Sequence, residues 1–307
     1  MARAVGWALN LRERQVLVCS TGRIGVPLPI ERVEDGIGRA ATALSPTGGK
    51  AAARAIMTSD TVPKEVAFRE TLPDGRTFTL GGMAKGAGMI DPNMATMLCV
   101  LTTDAPFAKK TLQKALVAAV EQSFNRITVD GDMSTNDTVI LLANGRAGGA
   151  PLEPGTEEFG RFQATLNHAT RQLARMIVED GEGVSRFVEV CVSGAVTFQD
   201  ARKAAEAVAK SSLVKCAWYG GDPNWGRILD ALGYSGATLR EEMIDVYYNG
   251  LLAVKGGEAS RTPPDKLREV VGRRQFTVHI HLGVGDAEYV VYTTDLTPEY
   301  VRLNKGE

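Results

Sequence analysis

The chain has 307 residues, 44% apolar and 23% charged, with 33 glycines and a formal net charge of −1. That composition supports one large or two modest cores and gives no electrostatic reason to expect nucleic acid or an anionic membrane as partner. No apolar run approaches the roughly 20 residues of a spanning helix, and no basic-then-apolar leader opens the sequence, so a cytoplasmic protein is expected.

Residues 1–11 read as the end of an amphipathic helix, and residues 16–19 as a short apolar strand running into Ser20-Thr21-Gly22-Arg23-Ile24-Gly25. A strand that ends in a Thr-Gly turn presents a hydroxyl and backbone N–H groups at one spot. It is either an ordinary strand end or a place where an oxyanion can be held. Ile30, Val33, Ile37, Ala40, Ala41 and Leu44 recur at helical spacing. Pro46-Thr47-Gly48-Gly49 breaks the pattern, and a second helix is predicted over residues 50–57. Thr58-Ser59-Asp60-Thr61 follows, with hydroxyls suited to backbone groups at a helix end. Residues 66–71 and 76–80 flank Pro73-Asp74-Gly75 and predict a hairpin.

The next stretch organises the chain. Gly81-Gly82-Met83-Ala84-Lys85-Gly86-Ala87-Gly88 predicts a mobile, glycine-rich segment, Asp91-Pro92-Asn93 a turn, and the continuous apolar run from Met97 to Leu101 a strand covered on both faces. Thr96 stands at the joint, the small Ala95 precedes it, and Lys85 lies upstream. Thr96 is either a common strand-start residue or the nucleophile of a self-cleaving enzyme. In the second case its hydroxyl attacks the carbonyl of Ala95, an ester forms, and water releases a new N-terminal Thr. The freed α-amine, with an ordinary pKa near roughly 7.7–8.0, then serves as general base for its own hydroxyl, without a histidine.

Leu112, Leu116, Ala119, Val120 and Ser123 mark a further helix, and residues 139–143 a strand. Between them, Asp130, Asp132, Asn136 and Asp137 stand in a run dense in Asp, Asn, Thr and Ser. The run lacks the terminal Glu of an EF-hand and reads as a hydrogen-bonded loop rather than a cation site. Phe159, Phe162, Leu166, Ala169, Leu173 and Ile177 predict a long helix ending at Glu179-Asp180-Gly181-Glu182-Gly183. That acidic cluster is either a solvated turn or a partner for a ligand carrying an ammonium.

A strand over 187–192 and a helix over 201–209 follow, and Gly220-Gly221-Asp222-Pro223-Asn224-Trp225 predicts a tight loop. Residues 243–248 and 251–254 pair as a hairpin across Asn249-Gly250. Residues 276–282 alternate, with His279 and His281 on one strand face, and residues 289–293 form another strand after a turn at 283–286. Cys19, Cys99, Cys191 and Cys216 show no CxxC spacing and read as buried thiols in a reducing compartment. Strands and helices mix without regular alternation, which predicts an α/β or α+β layered fold. Two parts are expected: residues 1–145 around Thr96, and residues 146–307.

The run Gly-Gly-Met-Ala-Lys-Gly-Ala-Gly-Met-Ile-x-Pro-Asn-Met-Ala-Thr-Met-Leu, at 81–98, resembles the signature of the ArgJ family, the ornithine acetyltransferases (glutamate N-acetyltransferases) of arginine biosynthesis. The likeness continues from about residue 1 to Asn304. It implies the sandwich-like fold shared with β-peptidyl aminopeptidases and cleavage between Ala95 and Thr96 into an α chain 1–95 and a β chain 96–307, associated as two α and two β. It also implies acetyl transfer from N-acetylornithine to glutamate through acetyl-Thr96 in a ping-pong cycle, with acetyl-CoA as a second donor in bifunctional members. Thr21 and Gly22 are then the oxyanion hole, and Thr58, Lys85, Thr96, Glu182 and Asn304 bind substrate. No metal or cofactor is implied. Family members carry an N-terminal segment before the Thr-Gly strand that has no counterpart here, and a terminal Thr where this sequence has Lys305-Gly306-Glu307. An aminopeptidase or amidase using water as acceptor, or an inert truncated chain, are the alternative readings.

Overall fold

The computed structural model describes residues 1–91 and 97–306. The chain begins with helices α1 (Ala2–Leu9), α2 (Ile30–Thr42) and α3 (Gly49–Ala55). Strands β1 (Lys64–Thr71), β2 (Thr77–Lys85) and β3 (Leu98–Thr103) follow, then α4 (Lys109–Glu121), β4 (Thr138–Ala143) and the long α5 (Glu157–Glu179). The second half runs β5 (Phe187–Ala195), α6 (Phe198–Lys210), α7 (Ser212–Tyr219), α8 (Trp225–Gly233), β6 (Asp245–Tyr248), β7 (Leu251–Lys255) and β8 (Glu258–Ala259). It closes with α9 (Pro264–Val271), β9 (Gln275–His281), β10 (Ala287–Thr294) and α10 (Pro298–Asn304).

These strands make two mixed sheets, a four-stranded one in the order β1-β2-β3-β4 and a six-stranded one in the order β10-β5-β9-β6-β7-β8. In the first, β1–β2 and β2–β3 are antiparallel, while β3–β4 is parallel with α4 as the crossover. Lys64 pairs with Ala84, Lys85 with Leu98, and Leu98 with Thr138. The start of β1, the end of β2 and the starts of β3 and β4 therefore meet at one end of the sheet. Helix α5 lies against β1 and β2, and its apolar stripe, Phe162, Leu166, Ala169, Leu173 and Ile177, is buried in one core with Phe78, Leu80, Cys99 and Leu101. Close approach is needed where α5 crosses β2: a Cβ on Gly82 would lie 2.5 Å from Leu101 Cδ2 and 3.3 Å from Leu173 Cδ1.

A second core begins at Val188 and fills the space between the six-stranded sheet and α6, α7, α8 and α9. The buried stripe of α6, Ala201, Ala204, Ala205, Val208 and Ala209, is small enough to seat the helix on β5 and β10. The buried Lys215 of α7 ties the two cores together. Its Nζ donates to Val129 O (2.8 Å), Thr294 O (2.7 Å) and Thr294 Oγ1 (2.9 Å), and burial lowers its pKa to about 7.

Several expectations changed. Residues 16–19 form no strand, and Leu17 and Val18 are exposed. An apolar run becomes a strand only beside an edge that takes its N–H and C=O groups, and no described strand lies beside this one. Gly81 and Gly82 lie inside β2 rather than in a mobile segment. Helices α7 and α8, neither of which the sequence pattern predicts, flank the predicted loop and are capped by Ser211 and Asn224. Strand β10 pairs with β5 rather than with its sequence neighbour β9. Cys99 is buried, but Cys19 and Cys191 are half-buried and Cys216 is exposed, all as free thiols. His279 and His281 do share a strand face, where both rings meet Ser193 Oγ at 2.8 and 3.1 Å.

Candidate active site at one end of the four-stranded sheet

Ala95 and Thr96 lie outside the described residues, and the described chain stops at Asp91 and resumes at Met97. On the near side, Lys85 is the last residue of β2 and is 1% exposed. The sequence placed it in a flexible segment. Strand pairing with Leu98 instead makes it rigid. Its Nζ lies 3.4 Å from Thr58 Oγ1. Burial lowers the pKa of Lys85, against the opposing pull of the Asp60 and Asp137 carboxylates.

The glycine-rich segment after Lys85 is held by carboxylates. The amide of Gly86 donates to Asp60 Oδ1 (2.7 Å), and those of Met89 and Ile90 donate to Asp130 (2.7 and 2.9 Å). Tyr300 Oη also donates to Asp130, from α10. Asp60 is itself fixed by Lys64, whose Nζ sits 2.6 Å from Asp60 Oδ1 and 2.6 Å from Asp180 Oδ2. Burial alone would raise the Asp60 carboxyl, but the Lys64 bond and the amides of Gly86 and Thr58 outweigh it and hold the group below the usual carboxylate range. The sequence reading passed over this Lys64 centre. Asp60 and Lys64 are four residues apart, but Asp180 lies 116 residues beyond Lys64, and only the packing of α5 on β1 unites the three.

On the far side, Met97, the residue after Thr96, donates its amide to Asp137 Oδ1 at 2.8 Å. Asp137 stands just before β4. Burial raises its pKa to about 7, opposed by the Met97 amide and the Lys85 charge. The adjacent Asn136 donates Nδ2 to Thr21 Oγ1 (3.2 Å), which brings the Thr21-Gly22 turn to the same sheet end from a distant part of the sequence. The loop dense in Asp and Asn thus works as a hydrogen-bonded frame, as expected. Among the described residues no group of three or more His, Cys, Asp or Glu is placed to hold a metal ion.

Glu182 and Asn304 form a second cluster. Asn304 Nδ2 donates to Glu182 Oε2 at 2.9 Å. They line a cavity of about 640 Å³ with Thr61, Glu179, Asp180 and Arg274. Thr21, Gly22, Thr58 and Lys85 are not among its lining residues. The two clusters are joined through the glycine-rich segment: Glu182 N donates to Ala87 O (2.9 Å), and the Glu182 carboxylate packs on Gly88.

A mixed two-sheet α/β sandwich that gathers hydroxyls, a buried lysine and carboxylates at one sheet end defines the class of fold and site. A family model described as the ArgJ family matches residues 1–306. The chain is 47% identical over 304 residues to a protein of Symbiobacterium thermophilum named "Arginine biosynthesis bifunctional protein ArgJ", covering 99% of this chain and 75% of that protein. It is 44% identical over 315 residues to the "Glutamate N-acetyltransferase" of Methanocaldococcus jannaschii, covering 99% of this chain and 77% of that one. The crystal structure of the arginine biosynthesis bifunctional protein ArgJ from Bacillus halodurans matches with a TM-score of 0.65 at 38% identity, over 67% of this chain and 97% of that one. The chain belongs to the ArgJ family.

Proposed function

We propose that this chain transfers the acetyl group of N-acetylornithine to glutamate, giving ornithine and N-acetylglutamate in arginine biosynthesis. The observation that carries the reading is family membership along residues 1–306 together with the names of the relatives. The chain cuts itself between Ala95 and Thr96, and the fragments 1–95 and 96–307 stay together, two of each in the assembly. The Thr96 hydroxyl attacks the acetamide carbonyl while its α-amine takes the proton. The Thr21 hydroxyl and the Gly22 N–H hold the oxyanion. The α-amine returns the proton to the departing amine, ornithine leaves, and the glutamate amine takes the acetyl group from Thr96, its released proton passing through the α-amine to the Thr96 oxygen. Acetyl-CoA is a second acetyl donor in this reading.

Substrate is held by Thr58, Lys85, Glu182 and Asn304. The support is physical. The cavity beside Glu182 and Asn304 is lined by Glu179, Asp180, Glu182 and Glu299, which suits the ammonium of ornithine, and by Arg274, which suits a carboxylate. The reaction belongs in the cytoplasm, and no described helix is long and apolar enough to cross a membrane.

The test is product analysis with N-acetylornithine in the presence and absence of glutamate. Formation of N-acetylglutamate with equimolar ornithine is expected. Release of acetate with no N-acetylglutamate would reassign the chain as an amidase, and no turnover of either kind would overturn the reading.

A further inference from the structure

The donor and the acceptor of the proposed reaction differ at one end. N-acetylornithine and glutamate both react at the α-nitrogen, and both carry a carboxylate beside it. The side chain of the first ends in an ammonium, that of the second in a carboxylate. A cavity that takes the two in turn needs a charge of each sign that the fold has not already engaged.

The cavity beside Glu182 and Asn304 has both. Most of its charged lining is engaged by the protein itself. Glu179, the last residue of α5, accepts from Arg175 Nε (2.7 Å) and Gln275 Nε2 (3.0 Å). Asp180 holds Lys64 Nζ at 2.6 Å. Glu299, on α10, accepts two bonds from the Arg302 guanidinium (2.6 and 2.5 Å). Two groups differ from these. Glu182 accepts only from a neutral partner, the Asn304 amide at 2.9 Å, among the described residues. Arg274, the residue before β9, is exposed, and its guanidinium makes no hydrogen bond or ion pair among the described residues. One cavity of about 640 Å³ therefore presents one uncompensated anion and one uncompensated cation.

We propose that Arg274 selects the acceptor: its guanidinium binds the side-chain carboxylate of glutamate, in the cavity where Glu182 binds the side-chain ammonium of N-acetylornithine. This rests on the acetyl transfer proposed above. A guanidinium offers parallel N–H donors that match the two oxygens of a carboxylate. It also offsets the repulsion that Glu182 exerts on that carboxylate. Glutamine, of the same length but uncharged, draws no charge-assisted bond of that strength from Arg274.

The experiment measures kcat/KM for each substrate with the full chain and its Arg274 variants. In a ping-pong cycle the value for N-acetylornithine reports the first half-reaction and the value for glutamate the second. The variants change the side chain alone, and the Arg274 carbonyl, which accepts from Phe187 N at 2.8 Å, stays in place. Arg274→Gln should lower kcat/KM for glutamate about 10- to 100-fold and leave that for N-acetylornithine unchanged. Arg274→Lys keeps the charge and loses the fork, so it should recover part of the loss. With glutamine as acceptor, Arg274→Gln should match wild type. Unchanged kcat/KM for glutamate overturns the proposal and leaves Arg274 a solvated side chain. An equal fall for both substrates also overturns it, and assigns Arg274 to the carboxylate that they share. Failure of the acetyl-transfer reading shows separately, as a wild-type chain that makes no N-acetylglutamate, and the role of Arg274 falls with it.

Discussion

Lys64 Nζ lies 2.6 Å from Asp180 Oδ2, an enclosed ion pair that fastens the start of β1 to the residue just past the end of α5. The same ammonium bonds Asp60, which holds the amide of Gly86. The anchor of the glycine-rich segment at Gly86 thus depends on one buried cation. Lys64→Met removes it and leaves two carboxylates enclosed together. Breaking such a pair from one side costs about 3–5 kcal/mol, so the urea midpoint at pH 7 should fall accordingly. The wild-type chain carries a matching pH signature. The Asp60 carboxyl is held below its ordinary value, so its contribution is present above the unfolded value of about 3.9 and is lost as pH falls through the lower folded value. The destabilisation by Lys64→Met should therefore shrink below about pH 4. An undiminished difference at low pH would show that the lysine matters through packing alone.

Gly88 sits against the Glu182 carboxylate: an added Cβ would lie 2.6 Å from Glu182 Cδ. Gly88→Ala must push the carboxylate aside. Losing a charged contact to substrate costs about 1.5–3 kcal/mol, so KM for N-acetylornithine should rise roughly 10- to 100-fold. Self-cleavage, which needs no ornithine, should be unchanged. Equal loss of both would place Gly88 in the fold rather than at the ligand.

Thr21 Oγ1 accepts from Asn136 Nδ2, which leaves its own proton free to point elsewhere. Thr21→Ala removes that donor, and loss of one oxyanion donor typically costs about 10²–10³ in kcat. Steady-state kinetics of the variant measure this directly. Normal kcat together with normal self-cleavage would make Thr21 a turn residue.

Thr96 is expected to serve twice, in cleavage and as acetyl carrier. Thr96→Ala should give one uncut, inactive chain. Thr96→Ser keeps the hydroxyl and loses the methyl group that restricts its rotamer, so it should cut and should transfer acetyl more slowly. With N-acetylornithine and no glutamate, one acetyl group should accumulate on residue 96 of the cut enzyme. Peptide mapping that finds the label on Lys85 or Cys99, or transfer at the wild-type rate by the Ala variant, would remove Thr96 from the mechanism.

Local pattern determined much of this protein. The 3.6-residue spacing of Phe162, Leu166, Ala169, Leu173 and Ile177 specified α5, and Pro73-Asp74-Gly75 and Asn249-Gly250 marked their hairpins, because those signals act within a few residues. The run at 81–98 was specific enough to point to the family from sequence alone, and the family match along residues 1–306 agrees. What the sequence left open was whatever depends on distant partners. Residues 16–19 have strand composition but no neighbouring edge among the described residues, so they stay extended loop. Gly81 and Gly82 look flexible and are strand, because β1 and β3 bond them on both sides and α5 presses on the bare backbone. The Lys64 ion centre joins residues 60, 64 and 180, and the link from Thr21 through the adjacent Asn136 and Asp137 to Met97 joins three places along the chain. Hydrogen bonds and ion pairs act over a few ångströms of space, and only the meeting of strand ends at one edge of the four-stranded sheet decides which residues come that close.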